Sequence, residues 1–229
     1  MKRIVRPLLV GLCIGIALAI LQQALHIDQD VFMFWFWVIA AVCIVGIVLF
    51  NLLYIRRYQQ KMRQALAVLE AGQAREYLAI VEGLLQTARG RYLKSCLKLD
   101  LAPGYCDLKQ YDKAIAILEE LSQARLKGVV KMIHRLDLCI CYFYTGQTAR
   151  AMELYETGQK EFSPWRTTPV YGGSIAVLDM FALIAQGRRD EAAKLLQHAR
   201  AAWTSPRLQD DYDYIEKLLA DAWPAFPQP

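Results

Sequence analysis

Two apolar stretches separated by five residues limit what this chain can fold into more than any other feature. Residues 7–25 and 31–55 hold nineteen and twenty-five positions without a charged side chain. As a helix, each is long enough to cross the ~30 Å hydrocarbon core of a bilayer. Only His26, Ile27, Asp28, Gln29 and Asp30 lie between them, so the two spans are expected to return antiparallel as a two-helix transmembrane hairpin. Lys2, Arg3 and Arg6 precede the first run and Arg56, Arg57, Lys61 and Arg63 follow the second, while the connecting loop carries acids. The positive-inside rule then puts both termini on the cytoplasmic side. Phe32, Phe34, Trp35, Phe36 and Trp37 fall at the outer interface, and Tyr54 and Tyr58 at the inner one. Two short spans with so small an outer loop suit a bacterial plasma membrane. A cleaved leader competes for the first run, because Met-Lys-Arg opens one; the immediate second run and the lack of a convincing small-x-small site favour a retained span.

Within the first run, Gly11, Gly15 and Ala19 recur every four residues. Such a stripe of small residues lets two helices approach closely, either inside the hairpin or in a homo-oligomer formed through it. The flanking Arg56, Arg57, Lys61 and Arg63 can also meet anionic headgroups, at about 1 kcal/mol each.

The net charge of +5 belongs entirely to this segment. Residues 1–63 hold seven basic and two acidic side chains, and the remaining 166 residues hold 20 of each. A neutral body has no electrostatic footprint for nucleic acid, so no nucleic-acid partner is expected. Six cysteines stand at positions 13, 43, 96, 106, 139 and 141, with no CxxC pair. Cys139 and Cys141, two apart on a predicted helix, point to nearly opposite sides and cannot clamp one ion. The expectation is buried, reduced thiols, with no metal and no cofactor.

Downstream of the membrane segment, the stretch 132–164 reads as two short helices joined by a turn at Gly146. Leu138, Cys139 and Tyr142 share one stripe of the first, and Ala151, Tyr155 and Gly158 one stripe of the second. Cys139, Ala151 and Gly158 are small enough to let the two backbones approach. With Ala151 as anchor, the pattern returns at Ala114, preceded by Leu101, Ala102 and Tyr105, and at Ala192, preceded by Gly187. A fainter copy has Gly72, Leu78, Val81 and Leu84, with Tyr77 in the anchor place. The anchors are spaced by 37, 37 and 41 residues, and such regularity marks stacked helical repeats.

These residues resemble the tetratricopeptide repeat, a protein-interaction unit, over roughly residues 60–205. The resemblance is divergent: Lys98, Arg135 and Ala176 stand where the family has an aromatic, Ala102, Cys139 and Met180 where it has glycine, and the unit-ending proline occurs only as Pro164 and Pro206. Pro103 falls inside a predicted first helix, which it should bend or break. The expected fold is all-α, with a hairpin over residues 1–58, an α-α superhelix of about three to four helix pairs over 59–205, and a capping helix with a Pro-rich tail over 206–229. In that last helix Leu208, Tyr212, Ile215, Leu218, Leu219 and Ala222 form an apolar stripe, and Asp210, Asp211 and Asp213 suit the positive end of the helix dipole.

Stacked repeats of this kind line a concave face with their first helices. The resemblance puts Leu99, Pro103 and Cys106, then Leu136, Ile140 and Phe143, then Val177, Phe181 and Ile184 on that face. All are apolar or weakly polar, which implies a protein or peptide partner presenting an apolar segment. The face is either open or filled by the chain's own last helix or by Trp223 and Phe226 of the tail. Catalysis is not expected: His26, His134 and His198 are far apart in this architecture, and no HExxH, GxSxG, phosphate loop or GxGxxG occurs. Two functions remain: a membrane-anchored scaffold whose repeats capture the partner, and an accessory subunit whose hairpin makes the specific contact.

Overall fold

The computed structural model describes residues 29–124 and 126–220. The first predicted span, with Gly11, Gly15 and Ala19, and the tail with Trp223 and Phe226 lie outside the described residues. Every regular element among the described residues is helical. The chain divides into two units, with the boundary in the sequence between Gln60 and Lys61.

The first helix, α1 (Gln29–Glu70), contains the second apolar run, and it is the one described helix long and apolar enough to cross a membrane. Its large apolar side chains from Val31 to Ile55 are mostly exposed, as lipid-facing groups would be. Phe34 meets Trp35, and Phe36 meets Trp37, edge to face at 6.0 and 5.7 Å. The sequence reading puts a boundary near residue 58; the two units divide between Gln60 and Lys61, inside this helix, which continues to Glu70. Residues 56–71 contain neither glycine nor proline and are rich in Gln, Lys, Arg, Leu and Ala, so nothing stops the helix before Gly72.

The second unit begins within the last turns of α1, where Ala65 and Leu69 are buried. It continues with α2 (Ala74–Thr87), α3 (Arg91–Leu99), α4 (Leu101–Asp107), α5 (Tyr111–Ser122), α6 (Gly128–Tyr144), α7 (Thr148–Phe162), a 3₁₀ turn (Ser163–Trp165), α8 (Gly172–Ala185), α9 (Arg189–Ala202) and α10 (Pro206–Ala220). Four of its turns share one geometry. Gly72, Lys109, Gly146 and Gly187 have φ of 78°, 57°, 73° and 76°. At each, that residue donates its N–H three residues back and its successor donates five back. These paired bonds satisfy the last carbonyls of the preceding helix. The successors Gln73, Gln110, Gln147 and Arg188 also match, with φ between −94° and −81° and ψ between 53° and 59°. Helix–turn–helix units thus repeat at the spacing read from the sequence.

The break between α3 and α4 falls at Asp100, three residues before Pro103, whose missing N–H leaves the Leu99 carbonyl without its helical donor. Around this frame α5 packs on α3, α4 and α6; α6 on α7 and α8; and α10 on α8 and α9. One core joins them, from Leu99 and Ala102 through Leu118, Cys139, Ala151 and Phe162 to Met180, Ala199 and Ile215. At two positions 37 residues apart, Lys98 donates to Glu120 at 2.6 Å and Arg135 to Thr157 at 3.1 Å. Each cation reaches a partner 22 residues on, so a polar tie fastens the same corner of two consecutive units.

Candidate functional site

The end of α3 and the face built by α4, α6 and α8 carry the residues expected to receive a partner, and the structure buries most of them. Leu99, Leu136, Phe143, Val177 and Phe181 are buried in the core, and Ile140 and Ile184 are half-buried. Pro103 and Cys106 are half-buried as well. An open apolar groove at these positions is therefore absent among the described residues.

At Phe143 and Phe181 the covering is done by aromatic rings, one of them from the last helix. Tyr111 stacks on Tyr144 at 4.7 Å with planes 4° apart, and Phe143 stacks on Phe181 at 5.3 Å. Tyr144 meets Phe181 edge-on at 5.3 Å, joining the two pairs. From α10, Tyr214 lies 4.8 Å from Tyr144 and 6.1 Å from Phe181. Three polar attachments hold α10 against earlier units. Arg207 Nη2 donates to Asp107 Oδ1 at 3.0 Å, Lys109 Nζ lies 3.6 Å from Asp210, and the Tyr144 hydroxyl donates to Asp211 Oδ1. The acids of α10 thus differ from the sequence reading, in which they only stabilise the helix dipole: Asp210 faces Lys109 and Asp211 faces Tyr144, 67 residues earlier in the chain, and Asp213 receives Arg200 at 2.8 Å.

Two further carboxyls lie in this region at equivalent positions, 37 residues apart. Asp100 sits at the break between α3 and α4, and its backbone carbonyl accepts the Tyr77 hydroxyl. Burial pushes its carboxyl up to about 6. Asp137, on α6, has an Oδ2 sealed from solvent with no hydrogen-bond partner. Its carboxyl is pushed up to about 7, mainly by burial and further by Asp100, against the opposing pull of Arg207. The phenols of Tyr77 and Tyr144 are raised above their ordinary value, first by burial, and stay protonated.

No protein-family model, curated protein or solved structure matches this chain. Function therefore rests on its geometry.

Arg56, Arg57, Lys61 and Arg63, expected to flank the membrane, are all exposed on α1, beyond the apolar run. Asp100, Asp137 and Arg207 were missed as candidates. Two of them were within reach of the sequence, since aspartates at one register of consecutive repeats are visible once the 37-residue spacing is known. Arg207 was not, because its partner Asp107 is 100 residues away.

Proposed function

We propose that the chain is a membrane-anchored scaffold or adaptor of tetratricopeptide-like helix pairs. It holds a protein partner at the cytoplasmic face of the membrane, with two spans and both termini on that side. The observation that carries this reading is the fourfold recurrence of one helix–turn–helix geometry directly after a helix able to span a bilayer. Stacked helical units present broad surfaces for other proteins, and an anchor raises the local concentration of whatever they hold. Because α10 lies against Tyr144 and Phe181, a partner reaches the α4–α6–α8 face only when α10 yields; otherwise it binds the outward surfaces of the second helices.

The test exchanges residues 1–60 for an unrelated two-span anchor and compares what copurifies from detergent-solubilised membranes. Retention of the same partner supports the scaffold. Loss of the partner, with the helical spectrum intact, assigns the contact to the hairpin and makes the chain an accessory subunit of a membrane complex. Reporter fusions to the C-terminus, active only on one side of the membrane, check the topology independently.

A further inference from the structure

Cys106 of α4 and Cys141 of α6 bring their sulfurs to 3.4 Å. They are 35 residues apart and belong to neighbouring units, and both are free thiols. A disulfide holds its sulfurs at about 2.05 Å, so closure needs only side-chain rotation and a small approach of two helices already packed on one another. Neither Cys139 nor Cys96 shares this contact: the Cys139 thiol points to the Ala151 carbonyl at 3.8 Å, and the Cys96 thiol interacts with Tyr92. The pair also lies directly beneath the attachments of the last helix. Asp107, which accepts Arg207, follows Cys106, and Tyr144, which donates to Asp211, stands one turn after Cys141.

The geometry points to Cys106 and Cys141 as a redox-convertible pair that reacts with low-molecular-weight disulfides and, once oxidised, ties α4 to α6 under α10. Cys106 is half-buried and Cys141 buried, so Cys106 takes the first step. Its thiolate attacks one sulfur of the reagent disulfide, forming a mixed disulfide and releasing one reagent thiolate. Cys141, losing its proton to solvent, then attacks the Cys106 sulfur, forming the protein disulfide and releasing the second reagent thiolate. Two protein thiols are oxidised by two electrons, and one reagent disulfide is reduced to two thiols. The contact with Cys141 and burial both hold the Cys106 thiol well above the usual range. The thiolate is the reactive form, so the reaction is slow at neutral pH and quickens as pH rises. The crosslink closes a loop of about 35 residues, which in the chain-entropy account stabilises the unit.

The experiment treats the full chain, purified in detergent, with glutathione disulfide, blocks remaining thiols by alkylation, and maps tryptic peptides. The expected product links peptide 99–109 to peptide 136–150, with fragmentation placing the bond at Cys141. The thermal midpoint rises by on the order of 5–15 °C and returns on reduction. Cys139→Ser keeps the linked peptide, and Cys106→Ser abolishes it. Because the linkage is read in the wild-type chain, a variant that misfolds does not shelter the proposal. A bond placed at Cys139, or glutathione adducts at Cys43 and Cys96 with peptides 99–109 and 136–150 unlinked, overturns it.

Discussion

The Tyr142 hydroxyl donates to Glu119 Oε1 at 2.6 Å across the junction of α6 with α5, and Arg150 reaches the same oxygen at 2.7 Å with its guanidinium 4.5 Å over the Tyr142 ring. The set recurs 37 residues earlier. There the Tyr105 hydroxyl donates to Glu82 at 3.3 Å, and the Lys113 ammonium lies 5.8 Å over the Tyr105 ring. A tyrosine on one unit, an acid on the unit before and a cation on its own second helix therefore fasten two consecutive junctions alike. Leu183 stands at the corresponding place in the last unit, and that junction lacks the fastening.

Removing the hydroxyl at the shorter of these bonds should cost more. Tyr142→Phe is expected to lower stability by about 1–2 kcal/mol, the lower part of what a hydrogen bond to a charged group contributes, because Glu119 is exposed to solvent. Tyr105→Phe, at a longer and more exposed bond, should cost a few tenths. A double-mutant cycle of Tyr142→Phe with Glu119→Gln, measured by urea unfolding, checks the coupling. The Tyr142 bond, then that of Arg150, hold the Glu119 carboxyl below its ordinary range, so the stability it contributes is present above the unfolded carboxylate range and fades as pH falls through the folded value. Additive losses in the cycle would show that the two side chains do not act together.

At the first junction the sizes are exchanged. Tyr77 occupies the place that Ala114, Ala151 and Ala192 hold elsewhere, and it is almost fully buried. The facing helix supplies the space through Gly104, where an added Cβ would come within 2.8 Å of both Tyr77 and Leu78. Gly104→Ala should therefore destabilise by about 1–3 kcal/mol through overpacking. Tyr77→Ala, which restores the anchor seen in the other units, should be worse, at about 3–5 kcal/mol, because it opens a cavity and removes the donor to the Asp100 carbonyl. Combining the two changes should not restore wild-type stability, since no group then reaches that carbonyl. Thermal unfolding followed by circular dichroism reads all three variants.

The repeat was legible because its markers are local. Glycine at 72, 146 and 187, the small anchors at 114, 151 and 192, and the break expected from Pro103 each act within a few residues of themselves. The covered face was not legible. Whether Phe143 and Phe181 meet solvent depends on where α10 docks, and that is set by pairs such as Arg207 with Asp107 and Tyr144 with Asp211, far apart in the chain. Of the six-residue apolar stripe read on the last helix, Tyr212, Ile215 and Leu218 are buried, Leu208 and Leu219 are half-buried, and Ala222 lies outside the described residues. Tyr214 lies off that stripe, yet its ring touches Tyr144 and Phe181, because α10 is packed from more than one side.

Lys109 is the one described non-glycine residue in the left-handed region, at the turn whose three counterparts are glycines. A side chain there costs about 1 kcal/mol or more relative to glycine. Its ammonium sits 3.6 Å from Asp210 with both side chains largely exposed, an arrangement worth little. Lys109→Gly should therefore stabilise the chain by about 0.5–1 kcal/mol, and Gly146→Ala should destabilise it by a similar amount. Paired urea melts of the two variants decide this; a destabilised Lys109→Gly would mean that the contact with Asp210 outweighs the backbone strain.

Asp137 gives the chain a pH dependence of definite sign. Its folded carboxyl is pushed up to about 7, whereas an unfolded aspartate titrates near 3.9. Between about pH 4 and pH 7 the folded chain holds a proton that the unfolded chain has released, so this group's contribution to stability is complete at low pH and is lost as pH rises through the folded value. His134 works the other way. Burial lowers its affinity for a proton, with its ring held against the Leu118 carbonyl at 2.7 Å, so acidification below its ordinary range favours the unfolded chain. The opposing trends are separated by Asp137→Asn, which cannot ionise. Unfolding free energies of both proteins at pH 5, 6, 7 and 8 should give a difference that moves steadily in favour of the asparagine variant as pH rises and levels off above about 7. A difference that stays constant over this range would mean that Asp137 is ionised in the folded chain at every pH tested and that Arg207 outweighs its burial.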